Sequence, residues 1–399
     1  MKFILTLTFG CLLNLAAQGQ KLAEFSVPPH EAVGPLIVTA DLSKIPADLH
    51  QISLVKKDSQ EPVAFQLSGQ KIVWKISEKE ASQYLEYEIH HALQKAIKND
   101  LHVKKEEGQL AIYQNDTKLL GYQMDIKDVP AGVNPAFARS GFIHPLNTPS
   151  GKRLTRIQPI DHYHHYGLWN PWTHVEYEGD TLDFWNLNKE EGTVRFAKLI
   201  YETTGPVFSE YQVLQEHVVL HGGKNEVALN EAQTVRLYPL NDHSYIADFT
   251  ITYNCATESP FKILEYRYAG FGWRTTEEWD NQNSKVLSSE GKTRKDADGT
   301  TARWCIVQGK LGTGNGGAIM LSHPQNYNHP EPLRIWPENQ YSRGDMFANF
   351  APTKTKDWTV EPGKNYTLRY QMLVFDGEMT ASQAEAAWQQ FAKPIEIKL

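Results

Sequence analysis

Three consecutive runs decide the fold class of this chain: "SEYQVLQEHVVLH" (209–221), "VALNEAQTVRLYPL" (227–240) and "SYIADFTITYN" (244–254). In each run apolar and polar side chains alternate, which is the pattern of a β-strand with one buried face. Short polar segments separate the runs. We therefore expect three neighbouring strands that pair antiparallel.

The same alternation extends outward from about residue 109 to the C-terminal region, with no regular interleaving of helical segments. Strand following strand predicts an antiparallel, all-β architecture rather than a parallel α/β fold. One helix is predicted near the end, in "TASQAEAAWQQFAKP" (380–394). Thr380 is its expected N-cap, and Pro394 is expected to end it.

The sequence predicts three parts. Residues 1–19 begin with Lys2 and an apolar run, the pattern of a secretory signal peptide with cleavage near Gly19. Residues 20–100 contain the β-type runs "GPLIVTADL", "QISLVKK", "PVAFQLSG" and "KIVWKIS" and predict a small β-sandwich of the immunoglobulin type. Residues 101–399 are expected to form one large β domain that includes the C-terminal helix.

Charge and composition exclude several partners. The 399 residues carry a formal net charge of −7, and no basic run favours nucleic acid as a partner. After the signal peptide no apolar segment is long enough to span a membrane. We therefore expect an exported protein of the periplasm or the cell exterior. Such compartments permit disulfides, but the sequence leaves open whether Cys255 and Cys305 pair.

The stretch "RIQPIDHYHHYGLWNPWTH" (156–174) holds four of the fifteen histidines. On a strand, His162 and His164 would project from the same face. They could then share one divalent metal ion, or serve as acid and base at a sugar carbon. His165 would point the other way unless Gly167 bends the segment. The alternative is a hydrogen-bonded loop cluster with the neighbouring tryptophans in the core.

Other polar and aromatic residues are candidates for the same site. Asp183 is predicted to orient an imidazole, or else to be a turn aspartate. Trp169 and Trp185 are predicted to stack on a sugar ring. The remaining predicted substrate-binding residues are His144, Arg153, Arg267, Arg274, His323, Asn326 and His329. The alternative is that they belong to solvated turns, ion pairs or a structural loop.

Several motifs occur in a defined order: "HPLNTPSGKRLTR" (144–156), "DHYHHYGLW" (161–169), "YAGFGWR" (268–274) and "HPQNYNHPEPLRIW" (323–336). Together they resemble the exported bacterial proteins labelled "PmoA" or "methane oxygenase PmoA", over about residues 110–380. Members of that family more often read "HHRGLW", whereas this chain has Tyr166 in place of the arginine. The chain is also similar to galactose-mutarotase-like β-supersandwich proteins, which implies that fold for the large domain.

The label and the sequence disagree about activity. A membrane methane monooxygenase subunit needs several long apolar helices, which this sequence lacks. The resemblance implies instead a secreted protein of polysaccharide-degrading bacteria. The first hypothesis is an enzyme of the lyase, hydrolase or epimerase type that acts on a sugar or oligosaccharide through a histidine-rich groove. A non-catalytic glycan-binding protein is the second, and a metal-dependent oxidative enzyme is the third.

Overall fold

The computed structural model describes residues 19–32, 34–94, 98–341 and 343–399. The predicted signal peptide therefore lies, except for Gly19, outside the described residues. Within those ranges the chain is nearly all β, which confirms the predicted fold class, and its α-helices are α1 (Glu78–Ala81) and α2 (Ala381–Ala392). Neither described helix is both long enough and apolar enough to cross a membrane.

The strands fall into two groups along the chain. The first group is β1 (Lys21–Val27), β2 (Leu36–Asp41), β3 (Ile52–Lys56), β4 (Phe65–Ser68), β5 (Lys71–Ile76) and β6 (Leu85–His91). The second group is β7 (Leu101–Glu106), β8 (Gln109–Gln114), β9 (Thr117–Gln123), β10 (Phe142–Leu146), β11 (Leu168–Trp169), β12 (Val175–Tyr177), β13 (Asp180–Leu182), β14 (Gly192–Thr204), β15 (Ser209–Val219), β16 (Glu226–Asn241), β17 (Ser244–Cys255), β18 (Phe261–Ile263), β19 (Phe271–Arg274), β20 (Ser284–Ser288), β21 (Thr301–Ala302), β22 (Trp304–Leu311), β23 (Gly314–Ser322), β24 (Glu331–Ile335), β25 (Phe347–Phe350), β26 (Trp358–Val360), β27 (Tyr366–Asp376) and β28 (Ile395–Lys398).

The N-terminal strands form a small sandwich. One sheet has the order β1-β6-β3 and the other β28-β2-β5-β4, and both contribute to a single hydrophobic core. The four runs predicted as strands here are β2 to β5. The last strand of the chain, β28, pairs in parallel with β2, with Val38 opposite Ile395. The division of the chain at residue 100 stays a prediction. Strand β28 lies in the predicted large domain by sequence but pairs with the N-terminal sandwich.

Two larger antiparallel sheets contain most strands of the second group. Their orders are β21-β24-β25-β19-β11-β10-β9-β8-β7 and β14-β15-β16-β17-β27-β23-β22-β20. Ile112 and Leu120 from the first sheet belong to the same buried cluster as Val235 and Phe249 from the second. The two sheets thus share one core, as expected of the large β-supersandwich. The three runs that decide the fold class are β15, β16 and β17, and they are antiparallel neighbours. A further four-stranded sheet has the order β13-β12-β18-β26.

Helix α2 lies against the eight-stranded sheet. Thr380 caps it through a capping box with Gln383, and Lys393 ends it, immediately before the proline. Both ends of the predicted helix are therefore confirmed. The indole Nε1 of Trp388 donates a hydrogen bond to the backbone oxygen of Ser322 at 2.9 Å, which fixes the helix on the end of β23.

The two described cysteines are both free thiols. Cys305 is fully buried, and its burial raises the pKa of the thiol to about 12. Cys255 is half-buried, and its thiol donates to the backbone oxygen of Val360 at 3.1 Å. The pairing that the sequence left open is therefore absent between these two residues.

A buried carboxyl group lies between the two large sheets. Glu331, at the start of β24, is fully buried. It accepts hydrogen bonds from the Ser322 hydroxyl (2.6 Å), the Asn326 amide (2.8 Å) and the Tyr370 hydroxyl (2.9 Å). Burial raises the pKa of Glu331 to about 7, although these hydrogen bonds act in the opposite direction. Asn326, predicted to bind substrate, is instead engaged with this carboxyl and with the backbone of Arg369.

We expect Glu331 to make stability depend on pH. Because the pKa of Glu331 is higher in the folded state than its ordinary value of 4.5, the folded state binds more protons between about pH 4.5 and 7. Stability therefore falls as pH rises through this window. Relative to Glu331→Gln, the wild type should lose about 2–3 kcal/mol across it. Urea unfolding of both proteins across the window tests this, and parallel pH profiles would contradict it.

Candidate functional site

A cavity of about 290 Å³ lies at one end of the nine-stranded sheet. Arg274 ends β19 opposite Phe347, the first residue of β25. Trp336 directly follows β24. The polar side chains that line the cavity are His162, His164, His165, Asn186, Arg267, Arg334 and Gln340. The aromatic ones are Trp185, Tyr268, Trp336, Tyr341 and Phe347. None of these described lining residues carries a carboxylate.

The histidines lie in a turn rather than on a strand, so the predicted strand geometry is wrong. The backbone N–H of His165 donates to the oxygen of His162 at 3.0 Å, which closes a turn over residues 162–165. The turn brings His165 to the same side as its two neighbours. The ring of His162 is 4.6 Å from that of His165 and 5.2 Å from that of His164. One ring nitrogen from each of the three lies within 4.8 Å of the others.

Gly167 connects this turn to β11. Its φ is +61°, in the left-handed region, and a Cβ atom at this position would lie 2.2 Å from the backbone oxygen of Ile143. Only glycine fits a backbone that is both left-handed and this close to another strand. The bend that the sequence left open at Gly167 is confirmed, and it allows the turn to fold over the sheet end.

A carboxylate holds the first histidine. The Nδ1 atom of His162 is 2.8 Å from Asp161, whose carboxylate also pairs with Arg274 at 2.8 Å and with Arg156 at 3.0 Å. Burial alone would raise the pKa of Asp161, but the hydrogen bond from His162 and the charge of Arg274 bring it below its ordinary value. Asp161 is therefore a carboxylate at neutral pH that accepts the His162 N–H.

Arg274 joins the turn to the sheet. Its side chain is 1% exposed and pairs with Asp345 at 3.3 Å as well as with Asp161. Its guanidinium lies over the Trp336 ring at 4.6 Å. Burial lowers the pKa of Arg274 to about 10, opposed by the two carboxylates, so the group is still a cation at neutral pH. Arg274, predicted to bind substrate, is not among the residues that line the cavity. It contacts Trp336, which lines the cavity, and Asp161 in the histidine turn.

The imidazoles of His164 and His165 are neutral at pH 7. Burial, followed by the neighbouring charge of His162, lowers the pKa of His164 to about 4. Burial and the neighbouring His164 lower the pKa of His165 well below its ordinary value. The Nδ1 atom of His165 is buried and has no hydrogen-bond partner among the described residues. Neutral imidazoles with an available nitrogen lone pair act as bases or as metal ligands.

The sugar-stacking role predicted for Trp169 needs correction, whereas that of Trp185 stays a prediction. Trp169 is 2% exposed and Trp185 is 1% exposed. Their rings pack against each other at 4.8 Å, because β11 directs Trp169 into the hydrophobic cluster beneath the turn. Trp185 reaches the cavity wall, but Trp169 has no free face. Tyr166 is also fully buried.

Asp183 is a turn residue. Its carboxylate accepts hydrogen bonds from the backbone N–H groups of Trp185 (2.9 Å) and Asn186 (2.8 Å). It also pairs with Lys189 at 3.0 Å. None of its described hydrogen bonds reaches a histidine. The turn interpretation therefore accounts for Asp183, and its catalytic role stays a prediction.

The remaining predicted residues separate. Arg267 lines the cavity, but His144 and Arg153 do not. His144 hydrogen-bonds the Thr155 hydroxyl at 2.9 Å, and burial lowers its pKa to about 3. His323 lines a different cavity, of about 580 Å³, beside α2, and His329 lies 3.3 Å from the Ser322 hydroxyl. None of the predicted residues His323, Asn326 and His329 lines the histidine cavity, and of their loop only Arg334 reaches it.

Sequence reasoning missed the acidic partners of the site. Asp161 immediately precedes the histidine cluster, and an acid adjacent to histidines is a signal that was available. Asp345 lies in the tripeptide Arg343–Asp345, which has no regular spacing to any histidine. Only the pairing of β19 with β25 brings Asp345 to Arg274.

A family model described as "Family of unknown function (DUF6807)" matches residues 109–389. No curated protein matches the chain. The family description carries no activity, so the methane oxygenase label that the motifs suggest stays untested.

Among solved structures, three similar chains come from sugar-related proteins. Heparan sulfate lyase HepC from Pedobacter heparinus is 8% identical with a TM-score of 0.35, and the match covers 76% of this chain and 39% of the lyase. Galactose 1-epimerase from Lactobacillus acidophilus is 8% identical with a TM-score of 0.35, covering 71% of this chain and 100% of the epimerase. A glycosyl hydrolase family 38 protein from Enterococcus faecalis is 8% identical with a TM-score of 0.41, covering 93% and 45%. The chain thus spans less than half the length of the lyase and of the family 38 protein. Likeness at this level does not decide an activity for this chain.

Replacing Gly167 tests whether the bend before β11 requires glycine. Gly167→Ala should lower the free energy of unfolding by about 2–4 kcal/mol, since it adds a clash with Ile143 to the cost of a left-handed alanine. Gly179→Ala is the matched control, because Gly179 also has a positive φ, +88°, but its Cβ would meet nothing within 4 Å. The control should lose only about 1–2 kcal/mol. Equal losses in urea unfolding would contradict the close-approach explanation.

Replacing Asp161 tests the ion-pair network. Asp161→Asn leaves the buried Arg274 with Asp345 alone and should cost about 2–3 kcal/mol of stability, less than the loss of a sole buried partner. Glu378→Gln is the control, since the Lys285–Glu378 pair is more than half exposed on both sides and should contribute less than about 1 kcal/mol. If thermal unfolding shows both variants equally destabilised, Arg274 does not depend on Asp161.

Proposed function

The chain belongs to a family of unknown function (DUF6807), and we propose from its own cavity that it is an exported enzyme acting on a carbohydrate that carries a negative charge. The observation that carries this proposal is the composition of the cavity wall. Three histidines and two arginines line the cavity, and no carboxylate is among its described lining residues. A site of this composition favours an anionic group, above all a carboxylate such as that of a uronic acid.

Arg267 is the residue best placed to bind that group. It is exposed at the cavity, and its guanidinium lies 5.7 Å from the ring of Tyr266 and 5.4 Å from that of Tyr268. No ion pair of the described residues engages this guanidinium, so its fork of N–H donors is available. Arginine binds carboxylates with two parallel hydrogen bonds. Stacking on tyrosine limits the motion of the side chain and so reduces the entropy lost on binding.

Arg334 supplies a second, partly neutralised cation. One terminal nitrogen pairs with Asp298 at 2.7 Å, while the buried Nε has no hydrogen-bond partner among the described residues. An unpaired buried donor is costly, and a substrate oxygen would satisfy it. Arg267 and Arg334 together therefore favour an acidic over a neutral sugar.

The size and surface of the cavity support a sugar as the substrate. Its volume of about 290 Å³ is near the lower end of the roughly 300–1,000 Å³ of small-ligand sites. Asn186 and Gln340 offer amides to hydroxyl groups, and the partly exposed ring of Tyr268 offers aromatic surface to C–H groups. A site of this size accommodates one sugar unit, and the resemblance to proteins of polysaccharide-degrading bacteria directs the proposal to carbohydrates.

The position of the histidines favours an enzyme over a binding module. A glycan-binding surface relies on open aromatic faces, whereas Trp169 and Trp185 are almost completely buried. The most buried polar side chain that lines the cavity is the imidazole of His165, and imidazoles transfer protons or bind metals. The proposal covers lyase, hydrolase and epimerase reactions, since each needs such groups beside the reacting carbon.

A paired glycan panel tests the proposal. Purified protein is incubated with uronate-containing and neutral oligosaccharides of equal length. The readouts are unsaturated products for a lyase, new reducing ends for a hydrolase, and NMR of the stereocentre for an epimerase. Turnover confined to acidic substrates is the expected result. Turnover of neutral glycans alone would overturn the proposal, and binding without turnover would identify a glycan-binding protein instead.

Substituting Arg267, with Arg153 as a control, tests whether Arg267 binds the negative charge of the substrate. Arg267→Gln should weaken binding of an acidic glycan by about 10–100-fold, because a hydrogen bond to a charged group contributes roughly 1.5–3 kcal/mol, and should leave neutral glycans unaffected. Arg153→Gln is the matched control, since Arg153 is exposed and lies outside the cavity lining. Calorimetry on both variants decides between the residues. An equal loss in the two would remove Arg267 from the site.

A further inference from the structure

We propose that His162, His164 and His165 together bind one divalent transition-metal ion, with zinc as the best fit. The inference concerns the same cavity as the proposed function, but it does not depend on the charge of the substrate. The carrying observation is that one ring nitrogen from each of the three histidines lies within 4.8 Å of the other two. The ligand set is larger than the pair expected from a strand, because the turn adds His165.

The distances suit a three-histidine site with little movement. Nitrogen atoms 2.0–2.1 Å from a tetrahedral zinc ion lie about 3.3 Å from one another. The three nitrogens therefore need to approach by no more than about 1.5 Å, which rotation of the side chains supplies. Three protein ligands leave the fourth position of a tetrahedral ion open to water or substrate, as in catalytic zinc sites. That position would face the cavity.

His165 supplies an independent indication of a ligand. Its side chain is 3% exposed, and its Nδ1 has no hydrogen-bond partner among the described residues. Buried polar atoms in native proteins are nearly always satisfied. The ring is surrounded by His162, Trp336 and Phe347, with centroids at 4.6, 5.5 and 5.1 Å. A metal ion coordinated by this imidazole would satisfy the ring within an otherwise apolar surrounding.

Asp161 acts as a positioning residue. It binds Nδ1 of His162 at 2.8 Å. The other ring nitrogen, Nε2, lies 3.2 Å from the Tyr341 hydroxyl, and a metal ion bound at Nε2 would displace that hydroxyl. Histidine ligands are commonly oriented in this way by a carboxylate. Asp161 is in turn held by Arg274 and Arg156, while Asp345 pairs with the same two arginines. Asp345 also pairs with the more exposed Arg343 at 3.4 Å. The two acids thus offset the charges of the two arginines that contact Asp161.

The donor set selects the class of metal. Imidazole nitrogens suit zinc, copper, nickel and iron, whereas magnesium and calcium require carboxylate or carbonyl oxygens. Because no carboxylate is among the described lining residues, the site should not bind magnesium or calcium. Zinc, with its tolerance of tetrahedral geometry, matches three nitrogens and one open position.

The test measures metal content and needs no substrate. Purified full-length protein is stripped with chelator, dialysed against Zn²⁺ or Co²⁺, and measured by elemental analysis and visible absorption. About one equivalent per chain is expected, with the intense absorption of tetrahedral Co²⁺. His164→Gln should reduce bound metal at least 10-fold, and the double variant His162→Gln/His164→Gln should abolish it. His221→Gln is the matched control, since His221 is exposed and does not line the cavity, and should retain the full equivalent.

Two further measurements keep the outcome decisive. Zinc should raise the Tm of the wild type but not that of His164→Gln, which separates lost binding from misfolding. Asp161→Asn should weaken zinc binding by about 10–100-fold while the Co²⁺ spectrum stays tetrahedral at saturation, a result that a purely structural role would not produce. Wild-type protein without bound metal, or full metal in the double variant, overturns the inference. If the protein binds metal but does not turn over acidic glycans, the metal site stands and the proposed function is wrong. If metal-free protein turns over acidic glycans and chelator has no effect, the proposed function stands and the metal site is wrong.

Discussion

The site depends on the ion pairs of the buried Arg274 guanidinium. It stands at the end of β19, is 1% exposed, and is paired with Asp161 and Asp345. A buried cation without partners would be strongly destabilising, so the chain segments that carry these two acids must remain at the sheet end. One acid belongs to the histidine turn and the other precedes β25. The ion-pair network therefore joins three distant segments at one point.

The position of the cavity follows from this joint. Strands β11, β19, β25 and β24 are neighbours in the nine-stranded sheet, and each ends or begins near Arg274. Functional residues often lie in loops at the end of a rigid sheet, because the sheet holds the loops in position. The bend at Gly167 then folds the histidine turn over the sheet end. Cavity, turn and ion pairs are thus one structural unit.

Much of the fold could be predicted, but less of the site. Alternation identified β15 to β17, and the capping residue identified α2, because these signals are local. The histidine cluster also led to the cavity. Trp169 was predicted to stack on a sugar ring, but strand β11 directs its side chain into the hydrophobic cluster. Asp345 was missed, because its contact with Arg274 depends on strand pairing, which local sequence does not encode.

The sequence by itself determined the all-β class, the helix near the C-terminus, and the concentration of imidazoles in one segment, since each follows from residue type and short-range spacing. Tertiary structure alone decided that three histidines rather than two face one another, that Arg267 lines the cavity while Arg153 does not, and that the last strand completes the N-terminal sandwich. The physical reason is range. Alternation and capping act over a few residues, whereas ion pairing and burial act between side chains that only the packed sheets bring together.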